Sequence, residues 1–143
     1  MTLRVELVMP EGEIWAGRAE MVIAKTLDGD IGVLTGHTPV LGILAEGSLV
    51  RIMPEGGPDA AAGHRGEVVA AVNGGFFSVA DDRISILARE AQLAEQVDTR
   101  AARAALDEAV QRAEVSAGGE EEPADVRYFR ALLRAAGDPA DRA

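Results

Sequence analysis

Residues 28–44 constrain the fold more than any other stretch, because turn-forming and aliphatic residues alternate there too closely for a helix to persist. Asp28 and Gly29 favour a two-residue hairpin connection, since both tolerate positive φ at little steric cost. Pro39 interrupts the apolar run that begins at Ile31, because it has no amide hydrogen to donate to a neighbouring strand. This stretch therefore predicts short strands joined by tight turns.

The same kind of pattern extends from the N-terminus to Ala88. Leu3, Val5 and Leu7 alternate with charged residues, which is the period of a strand with one buried face. Short apolar runs separated by regular turn signals are typical of a β-sandwich or barrel. We predict a mainly β N-terminal sandwich of about ten short strands over residues 1–90. Its other predicted strands are 14–16, 21–24, 31–34, 40–44, 47–53, 67–72, 76–80 and 83–88, with a long loop at 54–66 and turns at Asn73-Gly74-Gly75 and Asp81-Asp82.

The composition changes after Ala88 to Ala, Arg, Glu and Asp, which predicts helices. Residues 99–115 are rich in strong helix formers, and Asp98 is placed to accept hydrogen bonds from the free amides of the first turn. Pro123 suits the start of a second helix, and Gly137 its end. We predict a second domain at 91–143, formed by an antiparallel two-helix hairpin, with a disordered tail after about residue 137.

Three arginines recur along the second predicted helix. Arg127, Arg130 and Arg134 are spaced i, i+3 and i+7, so we expect their guanidinium groups to point outward together, away from the apolar face. Such a stripe suits an acidic partner or a phosphate. It is equally compatible with a solvated face, and the spacing leaves both interpretations open.

Composition disfavours several functional classes. The 143 residues include no cysteine and two histidines, so neither a disulfide scaffold nor a transition-metal site is expected. The net charge of −10 opposes binding to nucleic acid or to an anionic bilayer. No apolar run approaches the roughly 20 residues that cross a bilayer, and no signal-peptide profile is present, so we expect a soluble chain without direct membrane insertion.

Catalytic motifs are missing from the sequence. Neither a Walker-type loop nor a dinucleotide fingerprint occurs, and no nucleophile elbow or cysteine accompanies His37. We therefore interpret His37 as a structural residue that is hydrogen-bonded across a turn. The prediction is a protein without catalytic residues, a metal or a required cofactor.

Three stretches carry a family resemblance. Residues 29–41 resemble, in spacing and residue type, the signature Gly-Glu-x-Gly-x-x-x-Gly-His-x-Pro-hydrophobic of the epsilon subunit of the bacterial F-type proton-translocating ATP synthase. Residues 72–76 resemble the paired-glycine hairpin of that family, and 84–88 its last strand before the helices. The matching structural residues are Gly29, Gly32, Gly36, His37, Pro39, Gly74 and Gly75.

The resemblance implies a non-catalytic rotor subunit of the central stalk, built as a β-sandwich followed by a two-helix hairpin. It implies that the sandwich docks on the gamma subunit and the c-ring, and that the helices contact the catalytic alpha and beta subunits transiently and inhibit ATP hydrolysis. It also implies a peripheral location at the cytoplasmic face of the cell membrane, through the complex.

In some family members ATP is a regulatory ligand of the hairpin. The resemblance suggests Asp98 and Arg100 on the first helix, where Arg100 stands one residue early, and Arg130 and Arg134 on the second. An alternative hypothesis is a free-standing nucleotide-sensing or protein-interaction sandwich module. An enzyme that depends on His37 ranks third.

Overall fold

The computed structural model describes residues 2–55, 66–115 and 122–137, which form seven strands and two α-helices. The strands are β1 Leu3–Met9, β2 Gly12–Thr26, β3 Gly29–Val33, β4 Val40–Pro54, β5 Val68–Ala80, β6 Arg83–Ala88 and β7 Ala91–Leu93. A 3₁₀ turn at Ala94–Gln96 leads to the helices, α1 Thr99–Val115 and α2 Ala124–Ala135.

The strands close into a circuit around one core. The hydrogen-bonded order β1-β6-β5-β4-β2 returns to β1, because β2 pairs with both β4 and β1. Strand β3 adds to β2 and β7 adds to β5, and the β1–β6 pair is parallel. Closure leaves few free strand edges. The interior is filled mainly by aliphatic side chains. Its largest fully buried members are Phe77, Leu3, Leu7, Leu44, Ile52, Ile84 and Ile86.

Seven strands are present where about ten were predicted, because several glycines that signal turns lie inside long strands. Gly47 has positive φ at a β-bulge in β4, between Glu46 and Ser48. Gly74 and Gly75 also have positive φ, yet β5 runs through both. The predicted turn at Asn73-Gly74-Gly75 is therefore wrong: a glycine can bend or bulge a strand without reversing it.

The tight turns were predicted with mixed success. The turn at Asp81-Asp82 is confirmed, since both residues have positive φ and join β5 to β6. The predicted hairpin connection at Asp28-Gly29 is wrong by one residue. Gly29 instead pairs with Thr26 across the β2–β3 ladder, and its carbonyl accepts a 2.9 Å hydrogen bond from Thr26 Oγ1.

The two helices begin and end where the sequence predicts. The carboxylate of Asp98 accepts a 3.1 Å hydrogen bond from the amide of Ala101, which caps α1. Gly137 has positive φ just after α2, and its amide donates to the carbonyl of Arg134. Parts of the predicted loop at 54–66 with His64, the break between the helices and the predicted tail lie outside the described residues.

Helix α2 packs against β4 and β5 through a second hydrophobic cluster. Leu132 and Leu133 of α2 are buried there with Ala71 of β5 and Ala102 of α1. Burial, reinforced by the charge of Glu90, raises the pKa of Tyr128 well above its ordinary value. Undocking exposes the phenol to water, so α2 docking weakens above about pH 10, where an exposed tyrosine ionises.

Candidate interaction surface

An apolar row crosses the outer face of four neighbouring strands. The register pairs Ile43 of β4 with Phe76 of β5, Phe76 with Leu87 of β6, and Leu87 with Val8 of β1. Ile43, Phe76 and Leu87 are 51%, 55% and 50% exposed, respectively. We call these four residues the apolar row. Large apolar side chains in a contiguous exposed patch are typical of a protein interaction site.

The surroundings of the apolar row extend it. The four side chains line a groove of about 900 Å³, whose other apolar lining residues include Met9, Pro10 and Leu27. Leu27 is held against this face by a 3.0 Å hydrogen bond from its amide to the carbonyl of Ile43. Leu41, two residues before Ile43 on β4, is also exposed.

No sequence motif identifies the apolar row as functional. A detectable signal was nevertheless present, because Phe76-Phe77 and Ile43-Leu44 are consecutive apolar pairs in strands. Successive side chains of a strand point to opposite faces, so only one member of each pair can enter the core. Phe77 and Leu44 are the buried members, which leaves Phe76 and Ile43 outside.

The loop that contains Gly36 and His37, which we call the glycine-histidine motif, is hydrogen-bonded to the β5–β6 turn. The amide of Gly36 donates a 2.7 Å hydrogen bond to the carboxylate of Asp82. The ring Nδ1 of His37 lies 2.7 Å from the carbonyl of Thr38, and the His37 amide donates to the carbonyl of Leu34. Both contacts of His37 are to nearby backbone carbonyls, so they hold the local conformation of the loop.

The bulge of β4 is the point where α2 meets the sandwich. The carboxylate of Glu46 accepts hydrogen bonds from Arg89 of the sandwich at 2.8 Å and from Arg127 of α2 at 3.0 Å. The carbonyl of Gly47 accepts from Arg134 at 3.1 Å. A Cβ on Gly47 would lie 2.5 Å from the backbone of Arg127, so only glycine permits this close approach. We call these contacts of Glu46 and Gly47 the hairpin clasp.

The prediction of an outward-facing arginine stripe on α2 is wrong. Arg127 and Arg134 turn toward β4 at the flank of α2, and Arg130 Nε lies 2.8 Å from a carboxylate oxygen of Glu122. The three guanidinium groups therefore do not point outward together as expected. The helical spacing placed them on one side, but the bulge of β4 supplies acceptors there that no helix pattern can reveal.

Three of the four residues suggested for ATP binding have partners within the chain. Asp98 caps α1, Arg130 pairs with Glu122, and Arg134 contacts the hairpin clasp. Arg100 is exposed on α1. ATP binding by these four residues stays a prediction.

The described residues contain neither a candidate metal site nor a candidate membrane-spanning helix. No cluster of three His, Cys, Asp or Glu side chains in residues 2–55, 66–115 and 122–137 is arranged to hold a metal ion. Within the same residues, neither helix has both the length and the hydropathy needed to cross a membrane.

Comparison with known proteins gives consistent sequence matches. The family model described as the ATP synthase Delta/Epsilon chain, beta-sandwich domain, matches residues 2–94. An ATP synthase epsilon chain of Thermobifida fusca is 52% identical over 135 residues, which cover 94% of this chain and 91% of the relative. Another, from Streptomyces griseus, is 43% identical over 132 residues, with coverage of 92% and 97%.

Two solved structures share the fold. One is a chain of the Euglena gracilis mitochondrial ATP synthase, OSCP/F1/c-ring, with a TM-score of 0.66 and 24% identity, covering 99% of this chain and 81% of that one. The other belongs to the central stalk and c-ring of the Tetrahymena thermophila mitochondrial ATP synthase, with a TM-score of 0.56 and 18% identity, covering 90% and 94%. At these identities the likeness concerns the fold alone.

Proposed function

The chain belongs to the family of ATP synthase epsilon chains, and from that premise we propose that its apolar row docks on the gamma subunit of the central stalk. It is a non-catalytic stalk subunit. Together with gamma it turns with the c-ring, and so helps to couple proton flow to ATP synthesis by the alpha and beta subunits. It is held peripherally at the cytoplasmic face of the membrane through this complex.

The observation that carries this proposal is the exposure of the apolar row. Half-exposed Ile, Phe and Leu side chains each gain about 1 kcal/mol when a partner removes their remaining surface from water. A non-catalytic subunit acts only through contacts, and the apolar row with its groove offers a contiguous apolar surface that water solvates poorly. Docking on gamma would bury it.

Copurification tests the proposed docking directly. Coexpressed with a tagged gamma subunit of the same organism, the chain is expected to be retained in a complex of defined stoichiometry through gel filtration. Recovery of folded gamma and folded chain in separate fractions would contradict the proposal. Circular dichroism of each fraction establishes that both are folded.

The hairpin is proposed to regulate ATP hydrolysis. In the structure it is docked on the sandwich by the hairpin clasp and the buried face of α2. The clasp side chains are partly exposed, so each ion pair contributes at most about 1 kcal/mol. The clasp therefore adds little to docking, which rests mainly on the buried face of α2. We propose that a hairpin released from the sandwich reaches the alpha and beta subunits and slows hydrolysis.

Replacing Gly47 with Ala is expected to release the hairpin while the sandwich stays folded, because the new Cβ would collide with the backbone of Arg127. Amide hydrogen exchange in α2 should accelerate on the order of ten-fold or more. In the assembled enzyme, Gly47→Ala should lower ATP hydrolysis, and deletion of residues 97–143 should raise it. If both variants hydrolyse ATP at the wild-type rate, the hairpin does not regulate this enzyme.

A further inference from the structure

Three arginines lie side by side on the outer face of the sheet. The register places Arg4 of β1 opposite Arg18 of β2 and opposite Arg83 of β6, and all three are exposed. We call them the arginine row. Neighbouring strands are about 4.8 Å apart, so the row brings three positive charges within about 10 Å of one another at the level of the backbone.

The members of the arginine row have no ion-pair partner in the part of the chain that the structure describes. The neighbouring carboxylate, Glu6, instead accepts a 3.0 Å hydrogen bond from Ser85. Like charges directly opposite each other on paired strands destabilise a sheet. The chain has 24 acidic residues, yet none of those described forms an ion pair with the row. The row therefore lowers the stability of the fold.

The arginine row shares its face with the apolar row. Side chains four residues apart on a strand point the same way, so Arg4 and Val8 of β1, and Arg83 and Leu87 of β6, project from one surface. About 13 Å separates the two rows along these strands. A depression of about 440 Å³ at the arginine row is lined also by Glu6, Ala16, Gly17 and Ser85.

We propose that the arginine row binds an acidic segment of the same partner that covers the apolar row. This inference rests on the proposed docking on gamma and adds the charge that the gamma surface must carry. Guanidinium groups suit carboxylates, because their planar donors match the two carboxylate oxygens. The net charge of −10 opposes an anionic lipid surface as the ligand, whereas a local acidic segment needs to approach only the row.

Replacement of the central arginine tests this proposal. Arg4→Glu should slow association with an alpha-beta-gamma complex prepared without this subunit, by about ten-fold at low salt, and should flatten the salt dependence of the rate. The same variant should raise the melting temperature, because repulsion by Arg18 and Arg83 becomes attraction. Higher stability with slower binding cannot result from damage to the fold. Arg4→Thr, which suits a strand, serves as a second variant: it removes the charge without reversing it and should slow association less than Arg4→Glu does.

The outcomes separate this proposal from the docking proposal. Wild-type association by Arg4→Glu, combined with loss of binding by Phe76→Ser, would overturn the role of the arginine row and leave docking intact. Wild-type association by both variants would overturn both. Sedimentation of the chain with phosphatidylglycerol vesicles, lost in Arg4→Glu while association with the complex is unchanged, would assign the row to lipid and overturn the acidic segment.

Discussion

Replacing Phe76 with Ser is expected to weaken binding to the alpha-beta-gamma complex on the order of 30-fold or more, because truncating an aromatic side chain at the centre of an interface costs at least about 2 kcal/mol. Phe76 lies between Ile43 and Leu87 in the apolar row and is 55% exposed in the free chain. A titration of fluorescently labelled chain into the complex measures the dissociation constant.

The adjacent residue supplies the matched control. Phe77 has no exposed surface and belongs to the core, so Phe77→Ser should lower the free energy of unfolding by roughly 3–5 kcal/mol. Phe76→Ser should leave the melting temperature near that of the wild type. If Phe76→Ser binds the complex as tightly as the wild type does, the apolar row is not the docking surface.

Replacing Gly75 with Ala is expected to lower the free energy of unfolding by about 3 kcal/mol, which corresponds to roughly 10 °C in melting temperature. Gly75 has a φ of +130°, which L side chains rarely adopt. A Cβ there would overlap the carbonyl oxygen of Leu87 and lie 2.8 Å from the Cα of Ala88. Both atoms are backbone and cannot move aside without breaking the β5–β6 ladder. Thermal and urea unfolding followed by circular dichroism measure the loss.

A glycine of the other motif, the signature at residues 29–41, serves as the control. Gly32 lies in β3 without positive φ, and a Cβ there would meet nothing within 4 Å. Gly32→Ala should therefore leave stability unchanged or raise it by up to about 1 kcal/mol, through the unfolded chain. Equal stability of the two variants would mean that the bend of β5 tolerates a side chain.

How far the sequence predicts this protein depends on the range of the interactions involved. The ends of α1 and α2 follow from Asp98, Pro123 and Gly137, because capping acts within a few residues. The turn at Asp81-Asp82 is predictable for the same reason. The predicted turn at Gly74-Gly75 fails because a positive φ permits both a reversal and a bend, and pairing with distant strands decides between them.

In the candidate site, too, local features can be predicted from the sequence, whereas those that depend on pairing with distant strands cannot. Consecutive apolar residues such as Phe76-Phe77 indicate that a strand has two apolar faces, but they do not say that Ile43, Leu87 and Val8 will join Phe76 in a row. The arginine row is even less accessible, since Arg4, Arg18 and Arg83 come from three strands and no local pattern relates them. Arg127 and Arg134 were recognised as a set, yet their acceptors at Glu46 and Gly47 come from the β4 bulge.

The sequence by itself determined the class of fold, the helix limits and the family, because alternation, capping and the spacing of the glycine-histidine motif are local and directly encoded. Only the tertiary structure decided which apolar side chains remain outside, which charges meet and how the hairpin is held. Those features depend on strand register and on helix docking, which bring together residues as far apart as Glu46 and Arg127. The stretch at 28–44 thus predicts the sandwich. The register of β1, β4, β5 and β6 determines which side chains lie together on its surface.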